Sequence, residues 1–279
     1  ARLGDDATEE QIEAFREEMG LNDPLPVRYV DWLSEAVRGD FGASYYYDNM
    51  TVGELLSDRL PVTVMLAVIS LLMILICSVP LGLLCARGAG GVLDHAVNQI
   101  LQTVMAVPSF FLGILLTYAF GLVLHWFQPG QFVEPSESFF GAASYLVFPA
   151  LAVALPKIAM VVKFLRNAVL SELSKDYVRT AKSRGNSSRR ILYVHVLKNA
   201  MIPVITFTAM VVAEILAGSI IVEQVFSVPG VGRLLISSIF NRDYPVVQAI
   251  VMYITLVVVA VNFLVDFMYQ LLDPRVRTS

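Results

Sequence analysis

The chain of 279 residues is 56% hydrophobic and only 16% charged, and its mean hydropathy is +0.66, which excludes an ordinary soluble domain and is typical of a membrane protein. The formal net charge of −4 is unevenly distributed: residues 1–60 hold fourteen acids and five arginines, whereas residues 163–198 hold nine bases and two acids. An acidic segment and a basic loop on opposite sides of a membrane explain this distribution better than nucleic-acid binding does.

Residues 1–60 are polar enough to form a small helical segment outside the membrane. Thr8 and Gly20 can cap and end a first helix, because a threonine hydroxyl accepts from free N–H groups and glycine terminates helices. Pro24 can open a second helix that ends near Val37. The chain begins with alanine, and no signal peptide is visible at its start.

Five apolar runs follow, and each is long enough to cross about 30 Å of hydrocarbon as a helix. Prolines inside these runs predict bends in helices that face other protein helices. The sequence therefore predicts an all-α membrane protein with five transmembrane helices in this chain. The predicted spans, within a transmembrane domain at residues 61–272, are residues 61–86, 96–124, 142–165, 201–222 and 246–272.

The basic residues between and after the predicted spans determine the predicted orientation. Arg87, residues 166–200 and the tail at residues 273–279 carry lysine or arginine, whereas the loop at residues 125–141 carries neither. Cytoplasmic loops are enriched in lysine and arginine. We therefore predict a multi-pass protein with residue 1 outside and the C-terminus in the cytoplasm.

The basic loop at residues 166–200, which we call the elbow, has a helix–glycine–helix pattern. Residues 180–184 are predicted to be helical, Gly185 to end that helix, and residues 186–188 to cap a second short helix. A bent pair of helices on the cytoplasmic side is suited to dock a soluble partner.

The elbow resembles the EAA loop of ABC-importer permeases, which contacts the ATPase subunit. That motif reads Glu-Ala-Ala, three residues, Gly, nine residues, Ile, one residue, Leu-Pro. Ala181, Gly185 and Leu197 match the motif. Arg179 replaces its Glu and Thr180 its first Ala, while His195 replaces its Ile and Lys198 its Pro. The run Tyr-Val-Arg-Thr-Ala-Lys-Ser-Arg-Gly resembles the peptide and nickel branch, an oligopeptide and dipeptide permease B-like family.

The resemblance covers essentially the whole chain. It implies the type I ABC importer transmembrane fold with six spans, the first preceding residue 1, in a bacterial inner membrane. It implies as partners a second similar permease, two cytoplasmic ATPases that bind ATP and Mg, and an extracellular substrate-binding protein. It assigns to the ATPase-coupling loop Tyr177, Arg179, Ala181, Gly185, Arg189, Arg190 and His195.

The chain is not expected to be an enzyme or to bind a cofactor or metal itself. It contains no G-x-x-x-x-G-K-[ST] motif, and its three histidines lack metal-ligand spacing. ATP hydrolysis on the partners would therefore drive transport by alternating access.

Lys157 and Glu214 are ionisable residues that lie well inside predicted spans. A charge at that depth is costly, so such residues usually face a bundle interior or a watery cavity. The functional hypothesis is that both line a translocation path and pair with each other. The alternative is that Lys157 extends its ammonium to the membrane surface and that Glu214 is held by structural hydrogen bonds.

The loop after the fourth span contains Pro229 and Gly230, which signal a turn, and Gly232, which makes the chain pliable again. The family resemblance implies an outer gate here, close to where the binding protein docks. A re-entrant loop that only packs against the bundle is the alternative.

The predicted function is that of a permease subunit forming half of the pathway for di- and oligopeptides. A nickel-chelate importer is the alternative within the family. A passive channel or ion-coupled carrier is the alternative from another class, and it would require the elbow to be incidental.

Overall fold

The computed structural model describes residues 22–48 and 50–272, together with Thr8, Glu10 and Glu13; at residues 266 and 268–272 it describes only the backbone. The first predicted helix, apart from those three residues, and the predicted tail at residues 273–279 lie outside the described residues. Within the described part of the chain, the regular elements are helical, and an isolated antiparallel bridge joins Ala43 to Thr51.

Ten α-helices, numbered here in chain order, make up the described fold, and two of them continue as π-helix. The α-helices are α1 (Leu25–Val37), α2 (Val52–Arg87), α3 (Val92–Ala106), α4 (Ser109–Leu116), α5 (Phe139–Leu173), α6 (Asp176–Ser183), α7 (Ser188–Arg190), α8 (Leu197–Val225), α9 (Val231–Phe240) and α10 (Tyr244–Leu272). The π-helical stretches are Thr117–Val123 after α4 and Ile191–Val196 after α7.

Four helical stretches among the described residues are long and apolar enough to cross a membrane, and the bent pair α3–α4 can supply a fifth. The four are Val52–Arg87, Phe139–Leu173, Ser188–Val225 and Tyr244–Val265. Each predicted apolar run therefore corresponds to one of these stretches. The all-α membrane fold predicted from the sequence is confirmed.

The prediction of one continuous helical span over residues 96–124 is wrong, because the structure has two helices there. The chain breaks between α3 and α4 and bends by 100° there. Pro108 is the N-terminal cap of α4, and both it and Val107 have extended backbone angles. Proline lacks an N–H and forces the residue before it out of the helical region, so the helix ends at this dipeptide.

Helix α2 begins before the predicted domain boundary at residue 60. A capping box starts it: the Thr51 hydroxyl accepts from Glu54 N at 3.2 Å, and Thr51 N donates to the Glu54 carboxylate at 2.9 Å. These two bonds satisfy donors that a helix start leaves free. The boundary predicted between a segment outside the membrane and a span therefore falls inside one continuous helix.

Helix α5 lies at the centre of the bundle and packs against α2, α3, α4 and α8. It runs parallel to α2, since Ser70 and Ser78 of α2 donate to the Ala150 and Ile158 carbonyls of α5 at 3.4 and 3.5 Å. Arg87 and the end of α5 consequently lie at the same end of the bundle. We call this the elbow end and the other the opposite end.

The main apolar core lies among α2, α5 and α8 and includes Leu66, Leu165 and Ile215. A second, smaller apolar cluster closes the opposite end, where α2 begins and α9 meets α10. Its buried members are Val52, Leu55, Leu56, Val231, Leu234, Val246, Ala249 and Ile250. Asp243, fully buried between α9 and α10, accepts hydrogen bonds from the Ser44 hydroxyl and from Tyr45 N. These bonds fasten the chain between α1 and α2 to the bundle.

Candidate functional site

The elbow has the helix–glycine–helix form predicted from the sequence. Helix α6 ends just before Gly185, whose φ of +77° lies in the left-handed region that favours glycine. Ser187 then caps α7, because its hydroxyl accepts from Arg190 N at 3.3 Å. The glycine stop and the capping turn are therefore confirmed.

The second helix of the elbow is not a separate short helix. Helix α7, the π-helical stretch and α8 form one helical stretch of 38 residues, Ser188–Val225. Ile191, Leu192, Val196 and Ala200 are buried along it, so the chain gains core contacts by continuing as helix. The span predicted to begin at residue 201 therefore begins inside the elbow.

Most of the predicted coupling residues form an exposed set on the elbow. Arg179, Gly185, Arg189 and Arg190 are exposed, and they surround the turn between α6 and α7. His195 lies half-buried in the π-helical stretch and is not part of this exposed set. The exposed arginines present a positively charged surface at the elbow end.

Tyr177 and Ala181 hold α6 against the bundle. Both are half-buried and pack on the main apolar core. The Tyr177 hydroxyl donates to Glu172 at 2.9 Å. Burial raises the pKa of Tyr177 above its ordinary value, so this hydroxyl keeps its proton and remains a donor. These two residues support the elbow on the side that faces the bundle, whereas the arginines face outward.

Lys157 of α5 and Glu214 of α8 form an ion pair. The Lys157 side chain is 20% exposed and that of Glu214 50% exposed, so the pair lies at the edge of the packed bundle. Phe164 and Phe207, which stack with ring centroids 4.4 Å apart, join the same two helices nearer the elbow. The pairing of Lys157 with Glu214, which the sequence left open, is present in the structure.

The loop at the opposite end is organised by a residue that sequence reasoning missed, Glu223 of α8. Its side chain is fully buried. One carboxylate oxygen accepts from the Thr63 hydroxyl at 2.9 Å, and the other accepts from Gly232 N at 2.7 Å and Arg233 N at 3.2 Å. The carboxylate therefore joins α2 and α8 to the N-terminus of α9, where free N–H groups favour an anion.

Close packing requires both glycines of this loop. A Cβ at Gly230 would overlap the Glu223 carboxylate, and a Cβ at Gly232 would overlap the backbone of Ile220. Pro229 precedes them and is half-buried. The signal available in the sequence is the pair of glycines at this turn. The predicted fourth span ends at residue 222, so Glu223 falls just beyond it and nothing in the sequence indicates that its carboxylate is buried.

None of these groups forms a metal site. Within the described residues, no three His, Cys, Asp or Glu side chains are arranged to hold a metal ion. The chemistry available at the described sites is hydrogen bonding and ion pairing, which suits binding and conformational change.

Comparison with known proteins identifies the family. The family model for the inner membrane component of binding-protein-dependent transport systems matches residues 78–278. A probable peptide ABC transporter permease protein, y4tP of Sinorhizobium fredii, is 37% identical over 98% of this chain and 87% of its own length. The oligopeptide transport system permease protein AppB of Bacillus subtilis is 35% identical over 95% of this chain and 84% of its own.

A solved structure shares the fold. The crystal structure of an amino acid ABC transporter with histidines superposes with a TM-score of 0.58 over 77% of this chain and 93% of that one, at 14% sequence identity. That likeness concerns the fold alone. It agrees with the transmembrane fold that the resemblance of the elbow to ABC-importer permeases implies.

These matches exclude the passive channel and the ion-coupled carrier as functions of this chain. A binding-protein-dependent ABC system includes a binding protein and an ATPase, and its permease component lacks an ATPase domain. ATP is therefore hydrolysed on a partner. The chain belongs to the family of inner membrane permease components of binding-protein-dependent transport systems.

Proposed function

We propose that this chain is one of two permease subunits of an ABC importer that takes up di- and oligopeptides. One observation carries the proposal: relatives named as peptide or oligopeptide permeases align with nearly the whole chain at 35–37% identity. The second permease, two ATPases that bind ATP and Mg²⁺, and an external binding protein complete the assembly that we propose.

The elbow is the proposed contact with the ATPases. Four observations support this role: half-buried residues hold α6 against the bundle, the turn at Gly185 is exposed, the arginines face outward, and α7 continues into a span. A partner that moves the exposed turn would therefore move a membrane helix. In this proposal the elbow end is cytoplasmic, as the distribution of basic residues predicts.

The turn at Pro229, Gly230 and Gly232 is the proposed outer gate. The contacts of Glu223 support this role, because they make the start of α9 move together with α2 and α8. A rearrangement of these helices would therefore reach the side where a binding protein docks.

The proposed function is tested by reconstituting the complete complex into vesicles and measuring uptake of a radiolabelled dipeptide and a labelled pentapeptide. Uptake should require ATP and the binding protein, and a nickel chelate should not accumulate. Accumulation of the nickel chelate without peptide would contradict the peptide proposal while leaving the family unchanged.

The Lys157–Glu214 pair is the proposed wall of the pathway. The pair is only partly buried, although it lies within two membrane helices, which suits a position beside a watery cavity. With both charges satisfied by each other, the pair presents a polar but neutral surface. Such a surface can pass a zwitterionic peptide without trapping either of its charged ends.

We expect Glu214→Cys, made in a Cys77→Ala, Cys85→Ala background, to react with a charged, water-soluble thiol reagent. Peptide together with the binding protein should slow this reaction. Ile215→Cys is the matched control, since its fully buried neighbouring position should stay unlabelled. Labelling of both positions, or of neither, would contradict the path assignment.

A further inference from the structure

A polar recess lies at the elbow end between α3 and α5, apart from the Lys157–Glu214 pair. Its volume is about 410 Å³, within the range of small-ligand sites, and it is open to the surroundings. The residues that line it are Gly90, Asp94, His95, Asn98, Gln99, Gln102, Lys163 and Arg166. Most of the other side chains of α3 and α5 are apolar, so the recess concentrates amides and charges at one place on these two helices.

One cation of the recess is neutralised within the fold. Arg166 donates to both oxygens of Asp94, at 2.7 and 2.6 Å, and the Asp94 side chain is only 2% exposed. Gly90 N and the Asn98 amide also donate to this carboxylate. This bidentate contact fixes the Arg166 guanidinium against α3, so Arg166 forms a rigid side of the recess.

Lys163 is the cation that the recess does not neutralise. Its ammonium donates to the Gln102 amide oxygen at 2.7 Å, which is a neutral acceptor. Asp94 is the one acidic residue among those that line the recess, and it forms its ion pair with Arg166. The recess therefore offers one positive charge together with the amides of Asn98, Gln99 and Gln102.

The recess and the Lys157–Glu214 pair lie on adjoining faces of α5. Successive residues of an α-helix are turned by about 100°, which places Lys157 and Lys163 about 60° on either side of Met160. Lys157 turns toward α8 and Lys163 toward α3. Lys163 also lies about 9 Å nearer the elbow along the helix axis than Lys157.

We propose that this recess binds the C-terminal carboxylate of a transported peptide as the peptide leaves toward the elbow end. The Lys163 ammonium meets the carboxylate, and the Gln99 amide, the Asn98 amide oxygen and the Gln102 amide nitrogen bond to the last peptide groups. A peptide end carries these same groups, an anion beside amide donors and acceptors. This inference rests on the proposed peptide import and adds a contact for one end of the substrate.

The test compares a peptide with its C-terminally amidated form, each supplied at a concentration that saturates the binding protein in reconstituted vesicles. Lys163→Met should slow uptake of the free acid about tenfold, because a charge-assisted hydrogen bond is lost, and should leave uptake of the amide unchanged. Lys163→Arg should restore uptake of the free acid. Arg87→Met, which removes a cation at the same end outside the recess, should slow neither form.

Equal slowing of both peptides by Lys163→Met would overturn the inference and would indicate a structural role for Lys163. Unchanged uptake of both peptides would overturn it as well. A wild-type complex that accumulates neither peptide would instead refute the proposed function, and the carboxylate site with it. The wild-type measurement therefore separates the two failures before any variant is compared.

Discussion

Gly185→Val is expected to reduce ATP-driven uptake at least tenfold while the complex stays assembled and its ATPase remains active. Gly185 has a φ of +77°, which costs a β-branched residue about 1–2 kcal/mol. No heavy atom lies within 4 Å of a Cβ built there, so the variant should alter the turn without disturbing the core. Uptake and ATP hydrolysis would be measured side by side in vesicles.

Two variants at the same position isolate the cause. Gly185→Asn should retain most uptake, because asparagine tolerates the left-handed backbone. Gly185→Asp tolerates the same backbone but adds a negative charge beside the elbow arginines, so any further loss reports on charge. Normal uptake by Gly185→Val, or equal damage by Gly185→Asn, would contradict a requirement for this turn geometry.

Glu223→Ala is expected to lower the free energy of unfolding by about 3–5 kcal/mol, which is the largest stability effect that we predict. The change leaves the Thr63 hydroxyl, Gly232 N and Arg233 N without their carboxylate partner, in a place where the Glu223 side chain is fully buried. The melting temperature of the detergent-purified complex should fall by about 10 °C.

The adjacent Gln224→Ala is the matched control, since Gln224 is exposed on the same helix and should leave the melting temperature unchanged. Glu223→Gln should give an intermediate loss, because the amide keeps one acceptor oxygen and turns a donor toward the N-terminus of α9. A melting temperature unaltered in Glu223→Ala would show that this carboxylate does not fasten α9.

Local patterns were enough to predict much of the fold. Long apolar runs are typical of membrane helices; four of the five correspond to single spanning stretches, and the other corresponds to the bent pair α3–α4. Gly185 and Ser187 act on their own neighbours, so a helix stop and a helix cap could be recognised without tertiary information. Pro108 predicts a bend, but the 100° angle between α3 and α4 could not be predicted from the proline alone.

The contacts that link distant elements could not be predicted in the same way. Glu223 and Thr63 are 160 positions apart, and their hydrogen bond depends on how α2 and α8 cross. The bidentate Arg166–Asp94 contact likewise depends on the bend that brings α3 to α5. The Lys157–Glu214 pair could be suggested because charges inside apolar runs are rare and need partners.

The continuous helical stretch from Ser188 to Val225 is divided by Glu214 into a long segment on the elbow side and a short segment on the opposite side. At about 1.5 Å per residue, Glu214 lies about 39 Å from Ser188 and only about 14 Å from Glu223. If the helix pivots as a rigid body about the Lys157–Glu214 contact, a displacement of about 6 Å beside Arg189 corresponds to roughly 2 Å at Glu223. In the proposed assembly, a long displacement at the ATPase contact would thus accompany a short one at the proposed outer gate.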